Sequence, residues 1–142
     1  MPTVERFEDL RVWQEAREVV SLIYRLTGKF PPSERYGLAS QMQRAAVSTM
    51  SNVAEGFERG TTKEFINFLY MAKGSNGEVR SQAYVALDLG YISQPECDGI
   101  VQRCETLSRR LYNFIEYLKR TPFEGPKLRE SGPVWTIDEP ET

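Results

Sequence analysis

Along most of this chain, apolar residues return every three or four positions, the period of a helix that rests one face on a core. Leu10, Trp13, Ala16, Val20, Ile23 and Tyr24 line one side of a segment from about Glu8 to Thr27. Gly28 and Pro31-Pro32 then mark a helix end and a turn. A second segment runs from about Ser33 to Glu55 and is expected to stop at Gly56, with Leu38, Met42, Ala45, Ala46, Thr49 and Val53 on its main face. Beside that face lies another apolar one, Val47, Met50 and Ala54, which leaves only a narrow polar strip: Gln41, Arg44, Ser48, Ser51, Asn52 and Glu55.

The third segment opens on Thr61-x-x-Glu64 and ends near Leu89-Gly90; the fourth opens on Ser93-x-x-Glu96 and closes at Pro122. Both openings have the capping-box pattern, in which hydroxyl and carboxylate satisfy each other's backbone N–H groups. Phe65, Phe68, Leu69, Ala72, Val79, Ala83, Ala86 and Leu87 form the stripe of the third helix. In the fourth, Cys97, Ile100, Cys104, Leu107, Leu111, Phe114 and Leu118 step alternately by three and four, as in a coiled-coil seam. Four helices joined by short turns predict an all-α fold, an up-down antiparallel four-helix bundle over residues 1–121. Residues 122–142 hold four prolines and no period, and predict an extended or mobile acidic tail. Within it the apolar knot Val134-Trp135-Thr136-Ile137 either docks on the bundle or a neighbour, or is incidental.

Composition narrows the function classes. The formal charge of −2 divides unevenly: residues 1–120 carry 16 basic and 15 acidic groups, and the tail two basic and five acidic. A nearly neutral bundle argues against a strongly electropositive nucleic-acid binder but leaves room for a local patch. No apolar run approaches the roughly 20 residues of a membrane span, and the N-terminus lacks a signal-peptide layout, so a cytoplasmic location and no membrane partner are expected. Cys97 and Cys104 are about 10.5 Å apart along one helix, beyond the roughly 7 Å limit for a disulfide, and read as reduced core thiols.

The chain has no histidine. This removes the commonest general base, the usual nitrogen ligand for zinc, and the Glu-x-x-His pair of di-iron bundles. Glu55, Glu58, Glu64 and Glu78 have no spacing beyond that of a solvated helix, and no glycine-rich phosphate loop is present. The expectation is a protein without catalytic residues, metal, cofactor or small-molecule substrate.

Three surfaces remain as candidates. Tyr70, Gly74, Gly77, Ser81 and Tyr84 step 4-3-4-3 on the third helix, small residues between aromatics, so another backbone can approach closely. With Val47, Met50 and Ala54 they form a candidate subunit interface; the alternative is a second contact within one chain. Gly74 and Gly77 each cost a helix interior about 1 kcal/mol relative to Ala, or mark a kink. Asn76, inside the core stripe, is either a buried register-setting residue or reaches water through local bending. Arg59 and Lys63, with Arg103, Arg110 and Tyr117 on one face of the fourth helix beside Asn113, are the candidate nucleic-acid contacts. On the polar strip, Arg44 and Ser48 lie one turn apart and are candidate hydrogen-bond partners. The strip either ties the second helix to a neighbour or binds RNA or protein.

A resemblance adds to this reading. Phe7-x-Asp9-Leu10-x-Val12-Trp13-x-x-Ala16, Gln41-x-x-Arg44-Ala45-Ala46-x-Ser48 and Ser51-Asn52-Val53-Ala54-Glu55-Gly56 are followed by Glu64-Phe65, Phe68-Leu69, Ala72-x-Gly74-Ser75, Glu78 and Leu89-Gly90-Tyr91-Ile92. Over residues 7–120 the chain resembles the bacterial four-helix bundle family encoded in intervening sequences of large-subunit ribosomal RNA genes. That family is similar to the accessory variability determinant of diversity-generating retroelements. The resemblance implies a four-helix protomer assembled as a ring-like homopentamer, with Gln41, Arg44, Ser48, Asn52 and Glu55 as its signature strip. It also implies RNA or a nucleic-acid enzyme as a partner, since the retroelement relatives are thought to bind nucleic acid and a reverse transcriptase. Two departures stand out: many members are apolar where this chain has Asn76, and the retroelement relatives are markedly basic whereas this chain has a pI ≈ 5.3.

Overall fold

All four helices form, and the departures from the pattern lie at their ends and at two interior positions. A computed structural model of the chain describes residues 4–120. They hold α1 (Arg11–Thr27), α2 (Leu38–Glu58), α3 (Thr62–Asp88) and α4 (Gln94–Lys119), with single 3-10 turns at Phe7–Asp9 and Pro32–Glu34. Each helix packs against the next and α4 closes on α1, so the chain is an all-α four-helix bundle. The tail expected over 122–142, with its Val134-to-Ile137 knot, lies outside the described residues.

The start of α1 is later than expected because Phe7–Asp9 forms a separate turn, which sets Phe7 against Trp13 at 5.3 Å between ring centroids. At its far end Gly28 stays right-handed (φ −61°); the backbone tightens through Lys29 and Phe30 and stops before Pro31. Tyr24, placed on the core side by its period, is 49% exposed.

The start of α2 also shifts, from Ser33 to Leu38. Glu34 explains the shift, because its Oε1 accepts from Leu38 N at 3.0 Å and supplies a cap four residues upstream. Its Oε2 accepts from the Tyr91 hydroxyl at 2.7 Å, tying this end to the α3–α4 connection. The Leu38 N–H, and then the Tyr91 hydroxyl, hold the Glu34 carboxyl below the usual carboxylate range.

Gly56 does not stop α2. The helix runs through it to Glu58, and Gly56 is buried against Phe65 and Phe68 of α3. A Cβ there would sit 2.6 Å from Phe68 Cβ and 3.0 Å from Phe65 Cδ1. Gly60, with φ 90°, makes the turn instead, a left-handed conformation that glycine adopts without penalty. Gly56→Ala should therefore destabilise the bundle by about 1–3 kcal/mol despite alanine's better helix propensity, because a Cβ cannot rotate away. Urea unfolding with an unchanged m-value is the check.

Thr61 accepts from Glu64 N at 3.1 Å, but only this half of the first capping box forms; Glu64 turns toward Arg59, 3.8 Å away. The second box is complete, with Ser93 Oγ accepting from Glu96 N and Glu96 Oε1 accepting from Ser93 N. From Thr62 to Asp88, α3 is continuous, so Gly74 and Gly77 mark no break.

Asn76 corrects the reading that bending brings it to water. It is 1% exposed, and its Nδ2 donates to the Cys104 carbonyl of α4 at 2.7 Å. Its Oδ1 is buried without a hydrogen-bond partner. Around it the whole α4 seam is buried, and Phe65 joins Phe57 of α2 to Phe114 of α4 through two edge-to-face contacts at 5.8 and 5.5 Å. Cys97 and Cys104 are free and buried. Burial pushes both thiols up, Cys104 to about 12, so they are protonated and unreactive in the folded protein.

Candidate interaction surfaces

The signature strip divides once the helices are assembled. Ser48 turns across to α3, its Oγ 2.9 Å from Ser75 Oγ, while Asn52 Nδ2 donates to Ser48 O and Oγ at 2.9 and 3.1 Å. Ser48, Asn52 and Ser75 thus form one polar clasp between α2 and α3. Glu55 belongs to a different group: it pairs with Arg59 at 2.9 Å, and the guanidinium lies over the Phe68 ring at 4.9 Å. Gln41 and Arg44 remain exposed. Arg44 does not partner Ser48 as expected; it stands at a hollow of about 480 Å³ with Tyr24 and Val47. A link the spacing did not suggest, Gln43 Nε2 to Thr27 Oγ1 at 3.0 Å, joins α2 to α1 on that side.

The second apolar face of α2 is largely used inside the chain. Met50 and Ala54 are half-buried against the core, and Val47 alone is exposed, at 38%. The stripe on α3 differs. Tyr70 and Tyr84 are half-exposed, Ser81 is exposed, and a Cβ built at Gly74 or Gly77 meets no atom of another described residue within 4 Å. Lys119 of α4 lies over the Tyr70 ring at 5.4 Å, and Tyr112 of α4 is equally uncovered. Val47 thus borders α1, whereas the tyrosine stripe borders α4.

Three of the four cations singled out for nucleic acid, Arg59, Arg103 and Arg110, face carboxylates. Arg110, only 16% exposed in its side chain, pairs with Glu15 of α1 at 2.9 Å, and Arg103 faces Glu18 at 3.7 Å. Burial pushes the Glu15 carboxyl up, by more than Arg110 pulls it down. Asn113 is buried and Tyr117 stacks on Phe114 at 6.4 Å, so neither stands free beside the arginines. Arg59 is held as described, and Lys63 is exposed. Among the described residues no three thiol or carboxylate groups gather to hold a metal, and no helix is long and apolar enough to cross a membrane.

A four-helix bundle with these seams defines the class. The chain matches the family described as 23S rRNA-intervening sequence protein over residues 8–113, and it belongs to that family. It is also similar to the crystal structure of a protein of unknown function from the S23 ribosomal protein family of Bacteroides thetaiotaomicron. That likeness has a TM-score of 0.69 at 19% identity, covering 74% of this chain and 98% of the other, and concerns the fold alone. No curated protein matches the chain.

Proposed function

We propose that the protein is a non-enzymatic scaffold that acts through self-association and protein contacts. The observation that carries this reading is the pair of glycines on the outer side of α3. Each weakens the helix by about 1 kcal/mol relative to alanine, and nothing among the described residues occupies the space a side chain would fill. A second backbone seated between Tyr70 and Tyr84 gives that cost a purpose. The Val47 hollow and the tyrosine stripe border different neighbouring helices, which suits a head-to-tail contact repeated around a ring, as in the pentamer expected by resemblance. Direct RNA contact through Arg103 and Arg110 is less favoured, because both already face carboxylates of α1.

Gly74→Ala and Gly77→Ala separate the alternatives. Together they should raise the unfolding free energy of the dissociated chain by about 2 kcal/mol and weaken its association. Sedimentation across a dilution series and thermal melts at the lowest concentration read the two effects separately. Unchanged association in a Gly74→Leu/Gly77→Leu chain that melts normally would sink the stripe as the contact.

A further inference from the structure

Between α1 and α2 the chain crosses one end of the bundle as residues 31–37, and none of them is buried. The stretch borders a hollow of about 300 Å³, lined by Thr27, Phe30, Ala39 and Gln43 from the bundle and by Pro32 and Arg35 from the stretch itself. Both of its ends are fixed. Lys29 pairs with Glu96 at 3.2 Å, and Phe30 packs on Tyr91 at 5.1 Å between ring centroids. On the other side, Ala39 of α2 is only 5% exposed. Pro31 and Pro32 stiffen the stretch, but no buried side chain of its own holds it down.

One carboxylate does that instead. Glu34 makes the only hydrogen bond or ion pair that joins residues 31–37 to a distant part of the described chain; the backbone bonds of the stretch close its own turns or start α2. Its two oxygens have separate partners. Oε1 accepts from Leu38 N at 3.0 Å, an open donor of the first turn of α2, and Oε2 accepts from the Tyr91 hydroxyl at 2.7 Å. Tyr91 is itself anchored, since its N–H donates to the Ala86 carbonyl of α3 at 2.9 Å. Gly37 leaves the carboxylate its room: a Cβ there would stand 2.6 Å from Glu34 Oε1. Among the described residues Tyr91 is the titratable group that faces this carboxylate. The nearby cations are turned elsewhere, Arg35 to the Tyr36 ring at 5.4 Å and Lys29 to Glu96.

We propose that residues 31–37 are a lid over this hollow, held closed by the Glu34 carboxylate as its single catch. Releasing the catch opens the lid and the first turn of α2 while the four helices stay packed. The carboxylate accepts in both bonds, so a proton on it weakens both. Because the two donors hold the Glu34 carboxyl below its ordinary value of about 4.3, the catch is fully made above that value. It is lost as pH falls through the lowered one.

The test is native-state hydrogen exchange of the full chain, read residue by residue by NMR as protection factors. Gly37 and Leu38 should be severalfold less protected than the buried α2 residues Met42 and Ala46, through an opening of their own. Tyr91→Phe keeps the ring against Phe30 and removes only the hydroxyl; Gly37→Ala pushes the carboxylate aside. Each should lower the protection of Leu38 severalfold and leave Met42 and Ala46 unchanged. Arg35 supplies a second readout, because brief trypsin treatment should cut after it severalfold faster in both variants. In acid, the protection of Leu38 should step down through the Glu34 titration, and Glu34→Gln should remove the step. Leu38 exchanging only together with Met42 and Ala46 in the unmodified chain overturns the lid, and so does an equal loss at all three in the variants. Unchanged Leu38 protection and Arg35 cutting in Tyr91→Phe overturns Glu34 as the catch.

Discussion

Asn76→Asp should destabilise the bundle by about 3–5 kcal/mol at neutral pH, the range for a buried charge left without compensation. Asn76 Nδ2 donates to the Cys104 carbonyl at 2.7 Å, and the site is closed to water. An aspartate at that position brings a carboxylate oxygen against a carbonyl oxygen, lone pair to lone pair, among apolar neighbours. Burial raises its folded pKa above the unfolded value of about 3.9, so the folded state holds the proton more tightly. The penalty is accordingly small below about pH 4, where the protonated acid can donate to the same carbonyl. It grows as pH rises through the unfolded value and levels off above the folded one. Urea titrations of both proteins at matched pH should show their difference opening with pH. Asn76→Ala, which loses the hydrogen bond without burying a charge, should cost about 1–3 kcal/mol and show no such trend.

Phe65→Ala is expected to cost about 3–5 kcal/mol, the cavity left by a fully buried ring. Phe65 is 1% exposed and stands edge-to-face with Phe57 and Phe114, so it joins α3 to both of its neighbours at once. A domain of this size commonly has about 5–15 kcal/mol in total, so the variant should be folded but marginal. Phe65→Leu restores much of the volume and should lose chiefly the two ring contacts, about 1–3 kcal/mol. Denaturant melts with an unchanged m-value would separate this packing loss from a change of fold.

What the sequence made legible follows from what a helical period encodes. The period tells which residues of one helix share a face, so the α4 seam from Cys97 to Leu118 and the α3 stripe through Phe65, Leu69 and Ala72 could be read in advance. It does not tell how a helix is rotated against its neighbour. Ser48 was therefore matched with Arg44 on its own helix, when its partner is Ser75 across the α2–α3 contact. Gly56 was read as a stop because glycine ends many helices; its reason is Phe68 on another element, which spacing within α2 cannot reveal. Asn76 stays open between two readings in the sequence for the same reason, since its partner is a backbone carbonyl of α4 and carries no sequence mark. The candidate surfaces fared unevenly. The open stripe on α3 needed only the absence of large residues, whereas the pairing of Arg103 and Arg110 with α1 depended on which helix closes the bundle.

The ion-paired seam between α1 and α4 also bears on how the chain folds. Glu15 and Arg110 are 95 positions apart, and Lys29 and Glu96 are 67 apart, whereas α2 and α3 are joined by a three-residue turn. Contacts that close long stretches of chain carry the larger loop entropy, so the α2–α3 hairpin with its Ser48–Asn52–Ser75 clasp has the head start. The α1–α4 seam is then last to close and first to open. On that order, native-state hydrogen exchange is expected to show the α1–α4 seam opening before α2 and α3 part.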